Sequence, residues 1–317
     1  MLSVKGTLEP PEGIMIAVVS HDAGGAEILS SWLRNISEPY CLVLDGPATL
    51  IFERKLGKCT MIPLQQAISE SDWVMCGTSG AQSNLERQAI KYARHSRKKV
   101  VAFLDHWVNY NLRFLEDGVV CLPDEVWVGD REAKKIAQMY FEDLPIVLHP
   151  NPYFEELKAE FQRGEKQAKE PGKSNILYVC EPVRVHALHK YGDEHYWGYT
   201  EEEALQYFME NVKILGCEVN RIKVRPHPTE SREKYAWVQH SRDFEITVGG
   251  DKVLTQEILD ADIVVGCASM AMVVGLLAHK RVICSIPPGG EKCSLPHKEI
   301  EHLQELLGSN SSGGSYA

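Results

Sequence analysis

The chain reads as an α/β protein made of two tandem Rossmann-like domains facing a cleft. Three observations predict this. Short apolar strands alternate with loops and helices along most of the length. A rigid crossing, Leu148-His149-Pro150-Asn151-Pro152, interrupts the alternation near the middle. The run from Ala261 to Ile283 is by itself a complete strand–turn–helix–strand unit, the repeating module of a parallel sheet.

In order, Ile14 to Val19 is the first strand, and Ser20-His21-Asp22-Ala23-Gly24-Gly25 leads into a helix reaching about Asn35. Tyr40 to Leu44 is the second strand. Trp73 to Cys76 is the third, closed by Gly77-Thr78-Ser79-Gly80 before a helix from Ser83 to His95. Val100 to Leu104 ends abruptly in Asp105-His106-Trp107. Glu125 to Val128 and a helix from Arg131 to Phe141 complete the first half. The charged stretch Glu155 to Lys173 predicts a surface helix and loop. A new series then starts at the strand Ile176 to Cys180. It continues through a helix from Glu201 to Leu215, the strand Ile222 to Val224, a helix from Arg232 to His240, the strand Phe244 to Thr247 and a helix from Thr255 to Leu259. In the closing unit, Ile263 to Val265 is a strand, Met270 to Ala278 a helix, and Arg281 to Ile286 the next strand. The expected domains are therefore 1–151 and 152–306. Residues 1–12 read as a loose leader, and 307–317, rich in Gly and Ser, as a flexible tail.

A chain of 317 residues is long enough for two ordinary domains. A net charge of −10 argues against a nucleic-acid partner, which needs a basic face. The local run Arg94 to Lys99 reads as a solvated helix end. Nine cysteines without CxxC spacing, and no recognisable signal peptide, point to a reducing cytoplasm. No apolar run approaches the roughly 18 residues that a membrane-spanning helix needs. Peripheral association with the cytoplasmic face of the inner membrane stays compatible with that.

No GxGxxG or Walker pattern is present, so a dehydrogenase or P-loop enzyme is not the expectation. Chemistry-bearing side chains gather instead where apolar strands end. Arg225-Pro226-His227-Pro228 follows one strand, with His227 held between prolines. Ser269 opens the helix of the closing unit, where a hydroxyl and unpaired helix N–H groups together suit a phosphate. Glu181 follows the strand Ile176 to Cys180, in position to accept from a ribose or base. In the first half, Gly24 and Gly25 permit close approach of a ligand, and Ser20 or Asp22 is placed to cap the helix. Asp105 is the candidate general base, His21 its rival, with Asp22 beside it. Ser79, His106, Tyr110 and Arg113 are placed to meet an acceptor. His186, His189 and His195 match no zinc spacing. That segment, Arg184 to Trp197, reads as a polar loop whose aromatics Tyr191, Tyr196 and Trp197 are able to close over a sugar.

This layout resembles the GT-B class of glycosyltransferases. Within it, the His-Pro and Ser motifs resemble the bacterial sialyltransferases and the related nonulosonic-acid and Kdo transferases, which use CMP-activated acidic sugars. The family's His-Pro histidine falls on His227 and its phosphate-binding serine on Ser269. The family often carries two adjacent Ser/Thr residues; Cys267-Ala268-Ser269 supplies one. The acidic motif of the family's N-terminal domain is not reproduced, so the base role falls on Asp105 by position. The resemblance implies a transferase with a CMP-sugar donor held by His227 and Ser269 and a glycan or related hydroxyl acceptor. Arg225, Pro228 and Glu181 at the neighbouring strand ends are the further donor-binding candidates, and helix dipole and hydrogen bonds at the leaving phosphate are expected to do without a metal or a bound cofactor. A UDP-sugar 2-epimerase or hydrolase of the same architecture is the first alternative; the Glu often found in the closing helix is absent for either nucleotide-sugar reading, Gly275 occupying the middle of that helix. A non-catalytic nucleotide-sugar-binding scaffold is the alternative from another class.

Overall fold

The computed structural model describes residues 14–80, 82–166, 170–240 and 244–311. The chain forms two compact units that divide between Glu155 and Glu156. The expected leader and most of the expected tail lie outside the described residues.

Unit 1 is built from strands β1 (Ile16–Ser20), β2 (Tyr40–Leu44), β3 (Trp73–Cys76), β4 (Lys99–Leu104), β5 (Leu115–Glu116), β6 (Val119–Val120), β7 (Glu125–Val128) and β8 (Ile146–Leu148). Its helices are α1 (Ala23–Leu33), α2 (Pro47–Leu56), α3 (Leu64–Glu70), α4 (Leu85–His95), α5 (Tyr110–Arg113) and α6 (Arg131–Tyr140). Helix α7 (Pro152–Arg163) carries the division. Six strands pair in parallel in the order β2-β1-β3-β4-β7-β8. β1 is buried along its whole length, as a parallel strand covered by helices on both faces must be. Ile16, Val18, Leu29, Phe52 and Phe103 form the core on one face. Trp32 meets Trp73 and Trp127 edge-on in the same cluster. β5 and β6 form a separate antiparallel hairpin. Its Asp117-Gly118 turn has φ of 51° and 77°, the sign that the favoured two-residue hairpin turns require.

Unit 2 contains β9 (Lys173–Val179), α8 (Val183–Tyr191), α9 (Glu201–Asn211), β10 (Glu218–Arg225), β11 (Glu245–Val248), α10 (Leu254–Asp260), β12 (Ile263–Gly266), α11 (Met270–Leu277), β13 (Arg281–Cys284), β14 (Ile300–His302) and α12 (Leu303–Ser311). The order β11-β10-β9-β12-β13-β14 is again fully parallel. Ile176, Tyr178, Phe208, Val224, Val265 and Ile283 fill its core. Thr200 opens α9 with a capping box closed by Glu203.

Several expectations change. The segment read as a polar loop from Arg184 is mostly helix α8, ended by Gly192 at φ 75°, a left-handed stop that glycine accepts without strain. Tyr191 and Tyr196 stack on each other at 3.6 Å, so each already has an aromatic partner. Arg232–His240 is a 3-10 rather than an α-helix. The expected tail begins inside α12, because Leu303 is fully buried and anchors that helix. β8 and β14 are three-residue edge strands, too short to show as apolar runs.

Candidate functional site

Each sheet reverses its winding once, and ligands of open α/β sheets bind outside the strand C-termini at that reversal. In unit 1 the reversal lies between β1 and β3, flanked by Ser20-His21-Asp22 and Gly77-Thr78-Ser79-Gly80. In unit 2 it lies between β9 and β12, flanked by Cys180-Glu181 and Cys267-Ala268-Ser269, with His227 just past the end of β10, one strand away.

At the unit 1 edge, His21 Nδ1 lies 2.7 Å from Asp22 Oδ1. A carboxylate only accepts, so Nδ1 carries a proton, and in the neutral ring Nε2 presents a lone pair. Nε2 has no hydrogen-bond partner among the described residues. It faces Gly46, where a Cβ would sit 2.5 Å from it and where φ is +53°. Only glycine fits there, a position the sequence reading passed over. Asp22 Oδ2 accepts from Gly80 N at 3.0 Å, tying the two edge loops together. Neither Ser20 nor Asp22 caps α1 as expected: the Asp22 side chain makes no cap bond, and Ser20 Oγ is buried without a partner.

Asp105 is more heavily committed than the sequence suggests. Its Oδ1 accepts from Arg113 Nη1 at 3.0 Å and from Thr78 Oγ1 at 3.2 Å. Its Oδ2 lies over Gly24 so closely that a Cβ there would stand 2.0 Å away. The carboxylate thus occupies the first turn of α1, the place that attracts negative charge, and its side chain is 10% exposed. Gly24 makes room for Asp105 rather than for a ligand. Gly25 packs on Gly77, its would-be Cβ 3.2 Å from the Gly77 Cα. Arg113 spends its charge on Asp105 and Thr78. Tyr110 is 1% exposed and stacked on Phe141, and Ser79, also 1% exposed, donates to Glu86 Oε2 at 2.6 Å. These two support the edge from beneath. His106 stays partly exposed, its Nδ1 accepting from Trp107 N at 2.9 Å.

Two side chains escaped the sequence reading altogether. Glu86 is 2% exposed and accepts from His21 N at 2.7 Å as well as from Ser79. Arg87, 3% exposed, donates to the carbonyls of Ser79, Gly80 and Arg113. The available signal was periodicity: Glu86 shares the buried stripe of α4 with Ala89, Ile90 and Ala93. A carboxylate on an apolar stripe needs a polar task.

At the unit 2 edge, His227 Nδ1 accepts from Thr229 N at 3.3 Å and lies 2.8 Å from Thr229 Oγ1. In the neutral ring the proton therefore sits on Nε2, which becomes a donor. Burial lowers the His227 pKa, with Glu230 pulling the other way. Pro226 is buried and Pro228 exposed, so the prolines frame the ring rather than supply polar contacts. Ser269 is the N-cap of α11, and its Oγ accepts from Ala271 N at 3.2 Å. Arg225 points away from a phosphate role: it is ion-paired with Glu257 and donates to the Lys252 carbonyl.

Glu181 directly follows Cys180 at the end of β9. Its Oε2 accepts from Ala268 N at 2.7 Å, so it lies against the loop that opens α11. Burial, aided by Glu230, pushes its pKa up to about 7, against backbone hydrogen bonds that lower it. A carboxyl raised above its unfolded value holds a proton that the unfolded chain has lost. Stability should therefore fall as pH rises from about 4.5 to about 7, then level off. Glu181→Gln should remove that slope, a difference on the order of 2–3 kcal/mol between pH 5 and pH 8. Denaturant midpoints of both proteins at the two pH values check this; equal pH dependence would contradict it.

Among the described residues no group of three His, Cys, Asp or Glu is placed to hold a metal ion, and no helix is long and apolar enough to cross a membrane. His195 meets Glu203 at 3.2 Å.

No family model matches the sequence, and no curated protein does. Solved structures match across nearly the whole chain. The UDP-GlcNAc 2-epimerase of Methanocaldococcus jannaschii superimposes with a TM-score of 0.59 at 11% identity, covering 94% of this chain and 92% of that one. A Listeria monocytogenes protein described as a UDP-N-acetylglucosamine 2-epimerase gives 0.61 at 11%, covering 95% and 87%. The glycotransferase of kitacinnamycin gives 0.55 at 11%, covering 96% and 92%. At such low identity the likeness is one of fold, and it establishes a GT-B-like architecture of two Rossmann-like units for this chain.

Proposed function

We propose that the protein is a glycosyltransferase of GT-B type that uses a nucleotide-activated sugar, an acidic nonulosonic or Kdo-type sugar from a CMP donor being the favoured substrate. The observation that carries this reading is the set His227, Glu181 and Ser269, on the ends of three adjacent strands of unit 2. Such a set offers a neutral imidazole donor, a proton-carrying carboxyl and a helix N-terminus to a phosphate. Negative charge developing on the leaving phosphate is stabilised by the His227 Nε2–H and the N-terminal amides of α11. His21 Nε2 takes the proton of the acceptor hydroxyl, and Asp22 stabilises the resulting imidazolium and holds the tautomer. Asp105 and Arg113 shape the edge around that base. The acceptor is a glycan or related hydroxyl compound.

The second reading is a UDP-sugar 2-epimerase, the activity of one protein that shares the architecture and the description given to another. Calorimetric titration with CMP, UDP and GDP separates the readings. CMP binding supports the transferase, UDP alone the epimerase, and no nucleotide response a non-catalytic scaffold. His227→Ala and Ser269→Ala should each weaken nucleotide binding by about 1.5–3 kcal/mol, the worth of one hydrogen bond to a charged group. Unchanged affinity in both variants would remove unit 2 as the donor site.

A further inference from the structure

The base assigned to His21 works only if its ring keeps one tautomer and one orientation, and both loops beside it lack regular structure. The loop after β1 leaves the sheet at Ser20, and the His21 amide is outside the ladder. That amide donates to Glu86 Oε1 at 2.7 Å. The other Glu86 oxygen accepts from Ser79 Oγ at 2.6 Å, in the loop after β3. The same loop returns a bond from Gly80 N to Asp22 Oδ2, at 3.0 Å, while Asp22 Oδ1 holds His21 Nδ1. A closed circuit results: Glu86 to the His21 backbone, His21 ring to Asp22, Asp22 to Gly80, and Ser79 back to Glu86.

Glu86 sits in the first turn of α4, where the helix favours a carboxylate, while burial raises its pKa. Arg87, next to it, holds the Ser79 and Gly80 carbonyls from the other side. Among the described residues the His21 ring makes no hydrogen bond to Glu86; the link runs through the backbone and Asp22.

We propose that Glu86 is a positioning residue for His21, bridging the loops after β1 and β3 so that Asp22 receives the Nδ1 proton and Nε2 is left as the free base. The base role itself rests on the proposed function, but the positioning is a property of the protein alone and is read without substrate. An imidazole free in water favours the proton on Nε2, so the Nδ1–H form is a signature of this circuit.

The test uses the full chain labelled with ¹⁵N-histidine, with His21→Asn to assign the His21 signals. In the unaltered protein, neutral His21 should show the Nδ1–H pattern. Glu86→Ala should shift it towards the Nε2–H form. Glu86→Gln should restore the original pattern, because an amide oxygen can accept from His21 N while the Ser79 hydroxyl turns to accept. If Glu86→Ala does not fold, Glu86→Asp keeps the charge but withdraws the carboxylate, and the same shift is expected. Retention of the Nδ1–H pattern in a folded Glu86→Ala or Glu86→Asp protein would overturn the proposal. So would an Nε2–H pattern in the unaltered protein. Failure of nucleotide binding would instead count against the proposed function and leave these spectra unaffected.

Discussion

Replacing His21 by Ala is expected to lower turnover by about 10²–10⁴-fold, the range for a lost general base. Nucleotide affinity should be unchanged, because the residues proposed to hold the donor belong to the other unit. Residue type and position at a strand end favour Asp105 for this role. The contacts favour the reverse ranking, which is the one proposed. Asp105 already accepts from Arg113 and Thr78 and lies over the first turn of α1, whereas His21 Nε2 has no partner among the described residues. Asp105→Asn should act chiefly on stability, through the lost ion pair with Arg113. Steady-state kinetics and calorimetry on both variants decide the matter. A larger loss of turnover in a stably folded Asp105→Asn than in His21→Ala would return the base role to Asp105.

The second large effect is structural. Glu257 on α10 has a fully buried side chain and is ion-paired with both Arg225 and Lys223. Removing one member of a buried charge group leaves its partners uncompensated, which typically costs about 3–5 kcal/mol. Glu257→Ala should destabilise unit 2 by that order, seen as a lower urea midpoint without loss of the unit 1 transition. A loss under about 1 kcal/mol, the range of exposed pairs, would show that the cluster is solvated in solution. The same pair explains why Arg225 is not available to a phosphate, although it stands directly before the His-Pro motif.

Much of the architecture was legible because parallel strands must be buried on both faces. Runs such as IAVVS, KVVAFL and IVVG announce themselves by composition alone. The loops after them carry chemistry at the ends of β1, β3, β4, β9, β10 and β12, and strand polarity is sufficient to locate that edge. Where the sequence reading failed, the cause was a partner distant in the chain. Tyr110 looked like a loop residue until Phe141 was found stacked on it. Gly24 looked like a ligand seat until Asp105 filled it, and Glu86 was not singled out at all. Local periodicity and turn chemistry thus determined the two Rossmann-like halves and the edges on which side chains such as His227 and Ser269 would stand. Which of those side chains are spent on one another and which remain free was decided only by the tertiary structure, because hydrogen bonds and ion pairs form between residues that folding alone brings within about 3 Å.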